Sequence, residues 1–241
     1  MKNKICVVTW SGGTNFGTNL QAYALIEKLR LLGYDASMKG SITGNINYFL
    51  HPAFVADRIA NKLKRNKNPK RVISEDKEKE KKFREFCEIY LPRLNSHGKE
   101  QWKQVERDYL AFVTGSDQVW NPNYFQSMMM LDFVKSNKIK KIAYAPSIGV
   151  SELSKQTRKK YRKLLSSYSA IGMREKQAAD LISDISPVPV KTVLDPTLLL
   201  NDNDWNQLAD KADVDKAWDA DKPYILCYFV GHRNDYCDYI N

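Results

Sequence analysis

The chain has 241 residues, of which 43% are hydrophobic, and a net charge of +10. This size allows one large domain or two small ones, and no run approaches the roughly 20 apolar residues of a membrane-spanning helix. Four scattered cysteines without a CxxC pair, together with only three histidines, argue against a zinc site and favour a reducing cytoplasm.

The positive charge is concentrated in one segment. Residues 58–107 contain 16 Lys/Arg and 8 Asp/Glu, so this segment accounts for most of the net charge. A general nucleic-acid-binding protein more often spreads basic residues over its binding face and interleaves aromatic residues among them. The charge distribution therefore disfavours a nucleic-acid partner.

The first forty residues predict a βαβ unit. Lys4–Trp10 is typical of a buried strand, and Ser11–Asn19 is a loop rich in Gly, Asn and Thr. Apolar residues at helical spacing then predict a helix from Asn19 to Gly33, followed by a second strand, Tyr34–Met38. This order of elements indicates an α/β fold with a parallel sheet.

Residues 40–107 interrupt the alternation and are expected to form a basic helical insertion. Ala53–Arg65 and Ser74–Tyr90 are predicted helices, and the second is highly charged with a narrow apolar stripe. The charged side chains of such a helix usually face solvent and have no further role. Clustered Lys and Arg would also gain about 1 kcal/mol each near an anionic membrane surface, so peripheral membrane contact is the alternative.

The alternation resumes at residue 109. The predicted elements are strand Tyr109–Thr114, strand Lys141–Ala145, a helix with Tyr161, Leu164, Leu165 and Tyr168 on one face, strand Ala170–Met173, helix Arg174–Ile182, strand Val190–Leu194 and a helix near Asp204–Ala212. Residues 1–212 thus form one domain, and 213–222 are a polar linker. Within 223–241, the strand Tyr224–Val230 is expected to begin a second domain that continues beyond this chain.

Five polar loops each follow a predicted strand. They are Ser11–Asn19, Gly115–Asn121, Ala145–Gly149, Arg174–Glu175 and Asp195–Thr197. In an open α/β sheet, ligands bind beyond the carboxyl ends of the strands, where the strand order reverses. We therefore expect these loops to meet in one ligand site.

Each loop has a functional and a purely structural interpretation. The first offers backbone N–H groups and a helix N-terminus to an anion, or is simply a tight turn; it lacks the lysine of a nucleotide-triphosphate loop. Asp117 could orient a sugar hydroxyl or act as a general base, or could cap a turn. Arg174 could bind a carboxylate or phosphate bidentately, or pair with a neighbouring acid. Asp195 is expected mainly to cap the segment that follows it, and His232 to be solvated.

Five sequence blocks together resemble the polysaccharide pyruvyl transferase family. They are Asn15–Leu25, Val113–Asn121, Tyr144–Gly149, Gly172–Glu175 and Leu194–Leu199. They occur in the order of the family and span most of residues 4–200, and the GSDQVWN block at Gly115–Asn121 is the most specific.

The resemblance implies the N-terminal half of an enzyme with two Rossmann-like domains that face each other across a cleft, as in GT-B glycosyltransferases. It implies phosphoenolpyruvate as the donor substrate. No cofactor is expected, and no metal is needed in principle, because Arg and helix N-termini can bind the phosphate. The acceptor would be a sugar of a polysaccharide or of a lipid-linked oligosaccharide, at a cytoplasmic location that includes the inner membrane face. An Arg/His-containing motif is implied in the second domain, so this chain alone is expected to bind weakly and to be inactive.

On this basis Arg174 and Asp117 are the expected catalytic residues. The expected substrate-binding residues are Asn15, Gly17, Asn19, Gly115, Ser116, Gln118, Asn121, Ser147, Glu175 and Asp195. The rival interpretations are a GT-B glycosyltransferase with a nucleotide-sugar donor, a non-catalytic binding module and, least favoured, a nucleic-acid-binding protein.

Overall fold

A computed structural model describes residues 3–39, 69–94, 104–105, 107–211 and 223, and for residues 69–76 it describes only the backbone. The chain divides into two compact units, Met1–Asn201 and Asp202–Asn241. The predicted helix Ala53–Arg65, the linker 213–222 and the strand Tyr224–Val230 lie outside the described residues.

The first unit alternates strands and helices along the described sequence. In chain order its elements are β1 (Lys4–Val8), α1 (Phe16–Leu31), β2 (Asp35–Lys39), α2 (Pro69–Tyr90), β3 (Arg93–Leu94), β4 (Tyr109–Thr114), β5 (Lys140–Tyr144), α3 (Lys155–Leu165), β6 (Ala170–Met173), α4 (Lys176–Ser183) and β7 (Val190–Thr192). Short 3-10 turns follow β4, at Pro122–Tyr124 and Ser127–Met130, and β7, at Pro196–Leu199. The second unit begins with α5 (Asp202–Ala209).

The strands form one parallel sheet of seven described strands, in the order β3-β2-β1-β4-β5-β6-β7. Every neighbouring pair is parallel. The predicted α/β class and the Rossmann-like arrangement are therefore confirmed. The strand order reverses between β1 and β4, so the loops that follow these two strands flank the crevice where ligands bind in such sheets.

Local sequence signals explain where the first helix begins and ends. The side chain of Asn15 accepts a hydrogen bond from the backbone N–H of Thr18 at 2.9 Å, so α1 begins at Phe16, three residues before the predicted start. At the other end, Gly33 has φ +87°, a left-handed conformation that glycine adopts without strain, as predicted.

The segment 40–107 contributes to the sheet, which the sequence did not predict. Its charged helix is present but begins at Pro69 rather than Ser74, and it leads into the short edge strand β3. Arg93 and Leu94 of β3 pair with Met38 and Lys39 of β2. A strand of two residues carries no alternating pattern, so sequence periodicity could not reveal it.

Aromatic contacts hold α2 against α1. Phe83 packs on Phe16 with ring centroids 4.7 Å apart, and Tyr90 packs edge-on against Tyr23 at 5.7 Å. The narrow apolar stripe of this charged helix is thus its packing face.

The loop after β4 is anchored in the core. Trp120 is fully buried, and its indole N–H donates to the carbonyl of Met129 at 3.1 Å. The buried hydroxyl of Tyr161 on α3 donates to the carbonyl of Trp120 at 2.6 Å. Because Trp120 is held from two sides, the polar residues that precede it have a fixed position.

Candidate active site

The loop after β1 is shaped by two asparagines. Gly12 and Gly13 have φ +86° and +67°. The amide of Asn19 is 1% exposed; its Oδ1 accepts from the N–H of Gly12 at 2.8 Å, and its Nδ2 donates to the carbonyl of Asn15 at 3.0 Å. Asn19 is thus engaged inside the loop, whereas the backbone N–H of Gly13 has no acceptor among the described residues. Gly17 lies exposed in the first turn of α1, where helical N–H groups have no partner within the helix.

The loop after β4 packs directly against the loop after β1. A Cβ atom on Gly115 would lie 2.9 Å from the Cβ of Thr9, so a side chain there would force the two loops apart. The Thr9 hydroxyl donates to the carbonyl of Ser116 at 2.8 Å. The hydroxyl of Thr18 donates to Oδ2 of Asp117 at 3.0 Å, which joins the two loops by their side chains.

Asp117 has φ +75°, which is unusual for a residue with a side chain. This left-handed conformation costs on the order of 1–3 kcal/mol and is often kept at functional sites. It is supported here from the next loop, because the N–H of Ser147 donates to the carbonyl of Asp117 at 2.8 Å.

Two further predicted residues hold this loop together. Asn121 is 3% exposed, and its Nδ2 donates to Oε1 of the exposed Gln118 at 2.8 Å. Gly149 packs on this pair so closely that a Cβ would lie 2.6 Å from both side chains. Ser147 is itself 4% exposed, so it and Asn121 lie beneath the surface that Gln118 reaches.

Arg174, just after β6, lies in a cluster with three of the predicted residues. Its Nε donates to Oε1 of Glu175 at 2.8 Å, and its Nη1 donates to Oδ2 of Asp195 at 3.1 Å and to Oγ of Ser116 at 3.2 Å. Ser116 in turn donates to Oδ2 of Asp195 at 2.8 Å. The other oxygen of Asp195 accepts from the N–H of Thr197 at 3.0 Å. Asp195 therefore caps its segment, as predicted, and also pairs with Arg174.

Hydrogen bonds keep Asp195 and Arg174 of this cluster in their charged forms. Burial would raise the pKa of Asp195, but hydrogen bonds from Thr197, Ser116 and Arg174 outweigh burial and hold that pKa below its ordinary value. Burial would likewise lower the pKa of Arg174, and its bonds to Glu175 and Asp195 raise it instead. The guanidinium and the Asp195 carboxylate are therefore both charged at neutral pH.

The cluster leaves one edge of the guanidinium unused. The side chain of Arg174 is 30% exposed, and its Nη2 group has no acceptor among the described residues. The single positive charge of Arg174 faces two carboxylates, those of Glu175 and Asp195. A third carboxylate, Asp117, follows Ser116 in the loop after β4. The described site is thus an oriented arginine with a local excess of negative charge.

A family model described as polysaccharide pyruvyl transferase matches residues 15–240 of the chain. The chain belongs to the polysaccharide pyruvyl transferase family. No curated protein and no solved structure gives a significant match. Membership in this family indicates a transferase that acts on polysaccharide. The family resemblance predicted from the five sequence blocks is therefore confirmed.

In this pyruvyl transferase family member, contacts join all five strand-end loops. The link from the first to the second loop is Thr18 to Asp117, the link from the second to the third is Asp117 to Ser147, and Ser116 joins Arg174 and Asp195. The loops meet at the carboxyl edge of the sheet beside the reversal of strand order.

Residues from 80–93 lie beside the glycine loop, which the sequence did not indicate. A cleft of about 700 Å³ is lined by Gly12, Gly13, Thr14, Glu80, Phe83, Arg84, Cys87, Glu88, Leu91 and Arg93. Nη2 of Arg93 would lie 3.9 Å from a Cβ on Gly12, and no described carboxylate forms an ion pair with Arg93. The thiol of Cys87 donates to Oδ1 of Asn19 at 3.4 Å. The sequence pattern indicates only an insertion for the residues from 80–93 and does not place them at the edge of the sheet.

Within the described part of the pyruvyl transferase chain, His, Cys, Asp and Glu side chains form no group of three that could hold a metal ion. Among the same residues, no helix has both the length and the apolar character needed to cross a membrane.

Proposed function

We propose that this chain takes part in the transfer of a pyruvyl group from phosphoenolpyruvate to a sugar hydroxyl of a polysaccharide or of its lipid-linked precursor, in the cytoplasm. The observation that supports this best is the orientation of Arg174 by Asp195 and Glu175, beside Ser116, at the carboxyl edge of the sheet. A fixed guanidinium is suited to a planar carboxylate or a phosphate.

Arg174 would contact the donor through its Nη2 edge. Two of its other donors are already committed to carboxylates, so little side-chain entropy is lost when the donor binds. Ser116 lies between Arg174 and Asp195 and contributes a hydroxyl that can turn towards either the carboxylate or a ligand.

The carboxylates around Arg174 require that further groups bind the donor's negative charge. Two nearby features carry partial positive charge that attracts an anion: the free backbone N–H groups of the glycine loop and the N-terminus of α1. The family resemblance also implies an Arg/His-containing motif in a second domain. We therefore expect Arg174 to orient the donor and these other groups to supply most of the attraction.

The proposed reaction balances without a cofactor. A proton, supplied by the Arg/His-containing motif that the family resemblance implies in a second domain, adds to C3 of phosphoenolpyruvate, and a cation-like centre develops at C2. The oxygen of a sugar hydroxyl forms a bond to C2 and transfers its proton to a carboxylate, after which the bond between C2 and the phosphate oxygen breaks and phosphate leaves. A second sugar hydroxyl can then attack C2, lose its proton and close a cyclic ketal. The oriented guanidinium would stabilise the donor's charge throughout.

Asp117 is the best-placed carboxylate for the proton of the sugar hydroxyl. Its described partners are neutral, the hydroxyl of Thr18 at 3.0 Å and the N–H of Gln118 at 2.8 Å. Asp195, by contrast, is paired with the cation of Arg174 and is therefore less available to accept a proton. We therefore assign Asp117 as the base and Asp195 as the residue that positions Arg174.

The cleft beside the glycine loop suits the acceptor. Its volume of about 700 Å³ lies in the range of small-ligand sites, and it carries the carboxylates of Glu80 and Glu88 and the guanidinium groups of Arg84 and Arg93. Among the described residues none of these four forms an ion pair within 4 Å. Such groups can exchange water for the hydroxyls of a sugar.

Peripheral contact with an anionic membrane is a separate proposal that concerns the acceptor. The part of α2 whose side chains are described, residues 77–90, contains five basic and four acidic side chains, and the ion pairs Lys81–Glu85 and Lys82–Glu78 offset part of the charge. Most of the basic excess of the segment therefore lies outside the described residues. Flotation with anionic vesicles at low and high salt tests the proposal, and no binding at low salt rejects it.

Donor selectivity tests the proposed reaction against the glycosyltransferase alternative. Phosphoenolpyruvate should raise the thermal midpoint of the chain, whereas UDP-sugars and GDP-sugars should not. Stabilisation by a nucleotide-sugar alone would refute the assignment of the donor and favour a GT-B glycosyltransferase.

A further inference from the structure

A second polar pocket lies at the opposite edge of the sheet from the candidate active site. It has a volume of about 380 Å³, and its walls include Lys140 and Lys141 at the start of β5, Ser169 just before β6, and Lys163 in the last turn of α3. Lys140, Lys141 and Ser169 thus lie at the amino ends of the parallel strands β5 and β6, whereas the candidate active site lies at the carboxyl ends. The five residues of β5 alone separate the two edges by roughly 16 Å.

Lys141 occupies a core-facing position of the sheet. Ile139, just before β5, and Ala143 within it lie two residues before and after Lys141; they are 4% and 3% exposed, and Lys141 is 8% exposed. Side chains two apart in a strand share a face, so an apolar residue is expected here. A lysine is almost never this buried unless a counter-charge is near.

No carboxylate in the described residues lies within ion-pair distance of the Lys141 ammonium. Asp132 lines the same pocket, but its attraction does not compensate: burial, and next the charge of Lys135, lower the pKa of Lys141. The protein therefore keeps a partly desolvated cation beside further cations, at a cost that a bound anion would offset.

The pocket as a whole is strongly basic. Four lysines and one aspartate line it: Lys135, Lys140, Lys141, Lys163 and Asp132. The negative end of the α3 dipole accounts for Lys163 in the last helical turn, but not for Lys135, which precedes β5, or for Lys140 and Lys141 at its start. Serine hydroxyls in the same walls add uncharged hydrogen-bond donors.

We propose that this lysine pocket binds the phosphate group of a phosphorylated ligand, at a site distinct from the donor site around Arg174. The ammonium of Lys141, whose side chain is mostly buried but lines the pocket, would contact the phosphate, and the exposed lysines would attract it and neutralise its remaining charge. The phosphate can belong to a small soluble molecule or to the headgroup of an anionic lipid. The proposal does not depend on the pyruvyl transfer reaction.

The test is a calorimetric titration of the full chain with inorganic phosphate and with pyrophosphate, against sodium chloride at equal ionic strength. Wild type should bind both phosphate compounds and not chloride. Lys141→Met keeps the length of the side chain without its charge and should weaken binding at least tenfold. Lys155→Met is the matched control, because Lys155 is exposed at the other end of α3, about 12 Å along the helix from Lys163. It should change affinity less than twofold.

Wild type that does not bind either phosphate compound, or Lys141→Met that binds them unchanged, overturns the proposal. If Lys141→Met does not fold, Lys163→Gln at an exposed position replaces it, with a several-fold loss expected and an unchanged affinity again decisive. Phosphoenolpyruvate separates the two sites: its binding at the donor site should depend on Arg174 and not on Lys141.

Vesicles identify the source of the phosphate. Phosphatidylcholine vesicles with and without phosphatidylglycerol are sedimented with wild type and with Lys141→Met. Binding to phosphatidylglycerol that requires Lys141 assigns the pocket to a lipid headgroup. Binding that Lys141→Met leaves unchanged comes from another basic surface, and the ligand of the pocket is then a soluble phosphate compound.

Discussion

Asp195→Asn removes the charge that faces Arg174 while it keeps the size of the side chain. Oδ2 of Asp195 accepts hydrogen bonds from Arg174 at 3.1 Å and from Ser116 at 2.8 Å. Hydrogen bonds to charged groups contribute about 1.5–3 kcal/mol each, and asparagine retains part of them, so we expect a net loss of about 2 kcal/mol. In a protein of this size that loss lowers the thermal midpoint of unfolding by about 4–8 °C.

The loss should depend on pH. Because the pKa of Asp195 is lower in the folded chain than its ordinary value of 3.8, the ionised carboxylate stabilises the folded state at neutral pH. This contribution is fully present above the unfolded-state pKa and is lost as the pH falls through the folded-state pKa. Thermal unfolding of wild type and variant from neutral pH down to about pH 3 should therefore show the difference shrinking.

Asp184→Asn is the control for burial. Asp184 pairs with Arg158 at the same distance of 3.1 Å, but its side chain is 63% exposed, against 24% for Asp195. Exposed pairs contribute about 0–1 kcal/mol, so this variant should lower the thermal midpoint by at most about 4 °C. Equal losses for the two variants, or a loss for Asp195→Asn that does not change with pH, would refute the reasoning.

Three other predictions follow from the packing around the site. Gly149→Ala should destabilise the chain by about 1–3 kcal/mol in urea unfolding, because φ is +65° and the new Cβ would lie 2.6 Å from two side chains; unchanged stability would mean that the loop is loose. Tyr161→Phe should cost about 1 kcal/mol by the same assay, since its buried hydroxyl donates at 2.6 Å, and no loss would contradict this. Cys6 should resist alkylation until the chain unfolds, because burial raises its pKa to about 12; mass spectrometry of the native, alkylated protein checks this, and rapid modification would refute it.

Much of the fold could be predicted because buried parallel strands are short apolar runs with clear ends. β4 and β6 have the predicted bounds, and β1, β2 and β5 differ from prediction by at most two residues at either end. Helix starts were less accurate: α1 begins before Asn19 because Asn15 caps it, and α4 begins at Lys176 because Arg174 and Glu175 extend from the strand end into the site. The apolar pattern gives the buried face of a helix but not the residue that caps it.

The candidate site shows a different limit. The rule that loops meet at the carboxyl edge brought together the correct segments, but the sequence could not show that Asp195 reaches Ser116 across 79 positions, since that depends on strand order. Nor could it show that Arg174 is paired with two carboxylates, which makes it an oriented rather than a free cation. Arg93 was missed because its strand is too short to have a pattern.

The central claim is that Arg174 orients phosphoenolpyruvate, and calorimetric titration with this compound tests it most directly. Arg158→Met is the matched control for Arg174→Met, because each arginine is 30% exposed and has a carboxylate at 3.1 Å. We predict that wild type and Arg158→Met bind phosphoenolpyruvate at the donor site with the same affinity and that Arg174→Met binds it there at least tenfold more weakly. Equal affinity in Arg174→Met, or no binding by folded wild type, would contradict the account.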